Sequence, residues 1–254
     1  MMNNIGFTVF IQREIQRFTR VYVQTLLGPW INATLYVFIF GHVVGSRIDT
    51  IAGIEYIAFV LPGVLMMNII NSSFQQTTFS LYFKRFARHI EEFLVAPLSN
   101  FELMLGHIVG GIARAVCVGI GVYAIAIAFG AAGVVHPWWF LFYAISVSTI
   151  FSLLGILVGL WSDSFEQLSI LGTFVIMPFT YLGGMFNSLA MLPEKVQWLM
   201  TFNPFFYFVD GLRFSMTGVQ ESNMGLGIGI ILGLVVVFGG LVWWLFKIGW
   251  RVRG

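Results

Sequence analysis

Tyr82-Phe-Lys-Arg-Phe-Ala-Arg-His-Ile-Glu-Glu-Phe-Leu-Val-Ala-Pro97 is the densest run of charge in a chain that otherwise reads like hydrocarbon. Phe83, Phe86, Ile90, Phe93 and Leu94 recur at helical spacing, and Lys84, Arg85, Arg88, His89, Glu91 and Glu92 fill the other side. That pattern predicts a short amphipathic helix over about 83–96, closed by Pro97. Its bases come first and its acids last, the reverse of what a helix dipole favours, so the charges answer to something outside the helix. The bases suit an anionic membrane leaflet, and the acids suit a partner.

The sequence on either side sets the class. Of 254 residues, 58% are hydrophobic and only 9% charged, with mean hydropathy +0.89. Such a composition excludes an ordinary soluble domain and predicts an all-α polytopic membrane protein. The net charge of +2 is too small to point to nucleic acid. The single cysteine, Cys117, permits no internal disulfide and supplies no metal set.

Upstream of the charged run, Phe7, Phe10, Ile11, Ile15 and Phe18 share one face over about 5–20, with Arg13, Gln16, Arg17 and Arg20 opposite. This is the pattern of a cationic helix lying in the membrane surface. Two apolar runs follow, at about 21–45 and 54–81, each long enough to cross the hydrocarbon; Pro29 should bend the first. Downstream come four more, at about 100–132, 138–161, 166–184 and 224–247. The third is rich in glycine, which lets helix backbones approach closely. Ser164 and Gln167 fit a capping box that starts the fifth. Between the fifth and sixth, Pro193 suits the first turn of a short helix, and Asn203-Pro204 breaks the segment into half-length helices within about 189–218, lying on the membrane or dipping into it.

Basic residues decide the expected orientation. With both ends inside, Arg13, Arg17, Arg20, Lys84, Arg85, Arg88, Lys247, Arg251 and Arg253 are cytoplasmic, against Arg47, Lys195 and Arg213 outside. The charged helix is then the only sizeable cytoplasmic connection, and the broken helices are external.

Arg114 is the one charge well inside a span. Either it snorkels to the inner interface or pairs with a neighbouring helix, or it faces a cavity and meets an anionic headgroup. No Gly-x-x-x-x-Gly-Lys-Ser/Thr loop occurs, so energy from ATP must come from a partner. A membrane-embedded enzyme would need clustered His, Asp, Glu or Cys, whereas His42, His89, His107 and His136 are scattered. An ion-coupled carrier would show intramembrane charges and repeated halves, and no convincing repeat is visible.

Taken in order, the amphipathic N-terminus, six spans, the charged helix ending Glu91-Glu92-Phe-Leu-Val-Ala-Pro97, and the series Pro178-Phe-Thr-Tyr-Leu-Gly183-Gly184, Leu192-Pro193, Asn203-Pro204 and Gly211-Leu-Arg213 resemble the membrane subunit of an ABC-2-type ABC transporter. The resemblance covers essentially the whole chain. It implies a homodimer, or a pair with a similar subunit, in a bacterial inner membrane, joined to two separately encoded ATPase subunits. ATP and magnesium would be held by those subunits, and this chain would bind no cofactor and catalyse nothing. It further implies that Lys84, Arg85, Arg88, His89, Glu91 and Glu92, helped by Arg13 and Glu14, form the contact with the ATPase. Gly183, Gly184, Leu192, Pro193, Asn203, Pro204, Gly211 and Arg213 would belong to the external gate. The cargo stays open among a drug-like amphiphile, a lipid-linked molecule and a polysaccharide; the 27 Phe residues do not choose.

Overall fold

In a computed structural model of the protein, residues 4–45, 47, 50–86, 99–130 and 133–251 are described. Helix α1 (Asn4–Arg20) leads into α2 (Gly28–Phe38), which is flanked by π-helical turns at Val23–Leu27 and Ile39–Val44. A two-residue hairpin, β1 (Thr50–Ile51) and β2 (Ile54–Glu55), turns through Ala52 and Gly53, both at positive φ. Helix α3 (Tyr56–Phe86), α4 (Asn100–Ala128) and α5 (Pro137–Trp161) follow. The next span is broken: α6 (Phe165–Leu171), a π-helical turn at Gly172–Ile176, then α7 (Met177–Leu182). After a 3-10 turn at Leu189–Met191 come α8 (Glu194–Thr201), α9 (Pro204–Thr217) and α10 (Met224–Ile248). Six of these segments are long and apolar enough to cross a membrane, which makes this an all-α polytopic membrane protein.

The prolines explain the breaks. Pro29 and Pro178 each sit in the first turn of a helix that follows a π-helical turn. A proline has no N–H to give and crowds the preceding turn, so the extra residue of the π turn absorbs the misfit.

Helix α3 is the central rod. It is buried nearly all round, with Val60, Leu61, Val64, Leu65 and Ile70 in one cluster with Val118 and Val122 of α4, Val147, Ile150 and Phe151 of α5, and Phe208 and Leu212 of α9. Part of its polar run is satisfied within the helix, where the hydroxyls of Ser73 and Thr78 donate to carbonyls one turn back, Ile69 and Phe74, at 2.8 Å each. A methyl group at Gly155 of α5 would lie 2.1 Å from Thr77 Oγ1 and 2.5 Å from the Phe74 carbonyl oxygen. The two helices therefore touch backbone to backbone, where only a small residue fits.

Two expectations shift. Helix α3 runs on to Phe86 with no breaking residue after Leu81, so 83–86 is the end of span two and not the start of a separate short helix. The packed stripe of α1 is Phe10, Glu14 and Phe18, each about 2% exposed, while Ile15 faces out. The rotation follows from α4, whose Gly106 lies against Phe10 and whose Gly110 lies against Glu14.

Candidate functional site

At the end of the protein that carries α1, the site is built around one buried carboxylate. Glu14 Oε1 accepts from Lys84 Nζ at 2.5 Å, and Ser80 Oγ donates to the carboxylate at 2.7 and 2.8 Å. Arg17 reaches Glu14 at 3.3 Å and donates to the Gln76 carbonyl at 2.6 Å. Gln76 Nε2 in turn donates to the Glu14 carbonyl at 3.1 Å. Lys84 also lies 3.2 Å from His107 Nε2 and 4.4 Å from the Phe10 ring centroid. Burial alone would raise the Glu14 carboxyl; Lys84 and Arg17 outweigh it and hold the group at about 2. Glu14 and Lys84 therefore face each other inside the protein, where the sequence pattern had put both on a contact surface. Arg13 keeps an exposed position on α1.

Arg85 ties the end of span two to the turn between α5 and α6. Its guanidinium donates to the carbonyls of Gly159, Leu160 and Ser162 at 3.0, 2.6 and 3.0 Å, and lies 3.6 Å from Asp163. Arg251, past α10, pairs with the same Asp163 at 2.9 Å. In that turn the capping is split: Ser164 Oγ accepts from Gln167 N at 3.5 Å, and Gln167 Oε1 accepts from Asp163 N at 2.8 Å. Arg88, His89, Glu91 and Glu92 lie outside the described residues. The chain resumes at Ser99, which forms a capping box with Glu102 at the start of α4. Ser-Asn-Phe-Glu ahead of an apolar run is the signature that would have revealed it.

The opposite end of α3 meets α9. Arg213 is fully buried, with its guanidinium 3.7 Å from the Phe59 ring centroid, Nε donating to the Phe59 carbonyl at 3.2 Å and Nη2 to the Gly184 carbonyl at 2.5 Å. Asp210 and Glu221 lie 3.6 and 3.7 Å from its Nη1. Asp210 accepts from the backbone N–H groups of Glu221 and Ser222, and Ser188 Oγ donates to Glu221. Arg213, expected outside the hydrocarbon as part of a gate, is thus the hub that joins span two, the Gly184 turn and the segment after α9. An Asp-x-x-Arg spacing was there to be read, one helical turn apart.

The other motif residues surround this hub. Gly184 takes φ +79°, a left-handed conformation natural to glycine. Gly183 packs on Phe205, and a Cβ on Gly211 would meet the Tyr143 ring at 2.1 Å. Asn203 caps α9, its side chain accepting from Phe205 N at 3.0 Å and donating to the Phe179 carbonyl at 2.7 Å, with Pro204 in the first turn. Pro193 stands at the N-cap of α8, and Leu192 packs on the cluster of Met200, Phe206 and Tyr207.

Arg114 lies on α4, 7% exposed, with Nη2 3.4 Å from Gln75 Oε1 and Nε without a partner. That lack of a partner holds among the described residues; with Arg17, Phe18, Val21, Gln24, Gln75, Phe79 and Phe83, Arg114 lines a cleft of about 600 Å³. Among the described residues no cluster of His, Cys, Asp and Glu is disposed to hold a metal ion.

Comparison with known proteins agrees with this architecture. The family model described as ABC-2 type transporter matches residues 6–217. Over 242 residues, covering 95% of this chain and 94% of the relative, the sequence is 38% identical to the inner membrane transport permease YadH of Escherichia coli strain K12. It is 24% identical over 231 residues to nodulation protein J of Rhizobium leguminosarum bv. viciae, covering 89% and 88% of the two chains. With the family model running from α1 through α9 and the Escherichia coli relative covering nearly the whole chain, the chain belongs to the ABC-2 type transporter family, as a membrane permease subunit.

Proposed function

We propose that two copies of this chain, or one copy and a similar subunit, form the translocation pathway of an exporter powered by two ABC ATPase subunits. The observation that carries this reading is the span of α3. At 1.5 Å per residue its 31 residues reach about 46 Å, and roughly 38 Å of that separates the Lys84 and Arg85 clamps from the Phe59 carbonyl bound by Arg213. The connection over 87–98 follows the clamped end in sequence, so a partner that pulls on it moves the rod touching the Arg213 hub. The proposed ATPase contact consists of Arg88, His89, Glu91 and Glu92, helped by Arg13 of α1. Glu14, Lys84 and Arg85 act one step back, holding the end of span two to α1 and to the turn between α5 and α6.

In this reading the protein sits in the bacterial inner membrane with both termini cytoplasmic, and the 185–222 segment is external. Span six, with Val236 exposed, is as little enclosed as spans one and five, which expose Ile31 and Leu35 on one and Phe174 on the other. Tyr36 and Tyr181 join them by a 3.0 Å hydrogen bond between hydroxyls. Those faces are open to lipid or to a second copy. The proposed cargo is a drug-like amphiphile or a lipid-linked molecule, with a polysaccharide as the alternative within the same family; the aromatic content accommodates each of them.

Cysteine labelling in a Cys117→Ser background tests the orientation. Gln220→Cys, on the exposed side of the hub, should react with an impermeant reagent from outside the cell, and Ser99→Cys should not. Labelling of Ser99→Cys from outside overturns the topology. Native mass spectrometry of the complex should show two permease subunits with two ATPase subunits; a single permease subunit overturns the stoichiometry.

A further inference from the structure

Among the described residues, the cleft between α1, the start of span one, α3 and α4 is lined by two guanidinium groups, Arg17 and Arg114, and by no carboxylate. Glu14, the nearest acid, is committed to Lys84 at 2.5 Å and to Ser80, which leaves Arg17 only a 3.3 Å edge contact. Among the described residues Arg114 has no ion pair, and its buried Nε has no hydrogen-bond partner. A guanidinium out of water without a counter-charge is costly, and an anion supplied from outside removes that cost.

The cleft is shaped for such an anion with a hydrocarbon tail. Arg17 is held to the Gln76 carbonyl and Arg114 to the Gln75 side chain, so the two forks flank neighbouring residues of one turn of α3. Phe18, Val21, Phe79 and Phe83 line the same cleft. Planar guanidinium forks match phosphate oxygens, and rings beside them accept an acyl chain. A cleft of about 600 Å³ falls within the range of small-molecule sites. α1 carries the amphipathic pattern of an interfacial helix and precedes the first apolar span, and phosphate headgroups are concentrated at the membrane surface.

We infer that this cleft binds an anionic membrane phospholipid, its phosphate between Arg17 and Arg114 and its chain along Phe79 and Phe83. The bound lipid bridges α1, α3 and α4, next to the clamp that holds the end of span two. The assignment does not depend on the cargo or on the direction of transport, and its test reads binding.

The full-length chain in non-ionic detergent is titrated separately with phosphatidylglycerol, phosphatidylcholine and inorganic phosphate, reading thermal shift and lipid adducts in native mass spectra. Phosphatidylglycerol should give a saturable rise in Tm and a retained adduct; phosphatidylcholine and inorganic phosphate should give neither. Arg114→Gln should weaken phosphatidylglycerol binding about tenfold or more, the scale of one lost charge-assisted contact. Val21→Trp, which fills the cleft from an exposed position, should do the same while leaving the fold unchanged. Arg20→Gln, exposed on α1 outside the cleft, should bind like the parent. Equal response to the two lipids, or parental binding by both Arg114→Gln and Val21→Trp, overturns the site. A shift with inorganic phosphate as large as with phosphatidylglycerol overturns the phospholipid assignment in favour of a free anion.

Discussion

Glu14 and Lys84 stand 70 positions apart in the chain and 2.5 Å apart in space, the carboxylate 2% exposed and the lysine side chain 16%. The pair fastens the interfacial helix to the end of span two. Its stability contribution has a definite pH sign. The folded pKa of Glu14, about 2, lies below the ordinary value of 4.5. The contribution is therefore full above about pH 4.5 and is lost as pH falls toward 2. Thermal unfolding in detergent from neutral pH to about pH 3 should show a falling Tm whose slope is reduced in Glu14→Gln. At neutral pH that variant should itself lose about 3–5 kcal/mol, because Lys84 is left without its partner. An unchanged slope would show that other carboxylates govern the acid limb.

Arg213 should be the most sensitive position at the far end of α3. Arg213→Leu leaves Asp210 buried without its cation and removes donors to two carbonyls, at a cost of about 3–5 kcal/mol. Arg213→Lys keeps the charge and loses the fork that reaches Phe59 and Gly184 together, so it should fall between. Unfolding of both variants in detergent reads this ranking; a lysine variant as stable as the parent would mean that charge alone holds the hub.

Gly211 is set by contact and not by backbone conformation. A methyl there meets the Tyr143 ring, so Gly211→Ala should cost about 1–3 kcal/mol from overpacking. In a Tyr143→Leu background the added methyl should cost measurably less. A double-mutant cycle of the two positions checks this, and strict additivity would place the strain elsewhere.

The six spans were legible because each is a run of apolar residues with few charges, and the breaks at Pro29, Pro178 and Asn203 were legible because proline acts locally. What could not be read was the direction of individual charges. Lys84 and Arg85 look like the start of a surface helix, yet α3 carries them onward, and each side chain bends back to an acid or carbonyl supplied from far away in sequence. Glu14 sits on a helix whose helical pattern favours the Phe7 and Ile11 side, but the glycines of α4 receive the Phe10 and Glu14 stripe instead. The Asp210 and Arg213 spacing was visible, whereas Glu221 joins them only through the reversal at Gly218, which takes φ +77°.

In the proposed complex, force from a separate ATPase enters through the connection after span two. The most direct measurement is co-purification of Glu91→Lys with Glu92→Lys and the ABC ATPase, followed by ATP hydrolysis in proteoliposomes. Losing one partner of a desolvated interfacial pair costs about 2–5 kcal/mol, so two charge reversals should strip the ATPase from the permease and abolish transport-coupled hydrolysis, while the permease itself stays folded. Normal co-purification together with normal coupled hydrolysis would contradict the claim and place the coupling contact elsewhere.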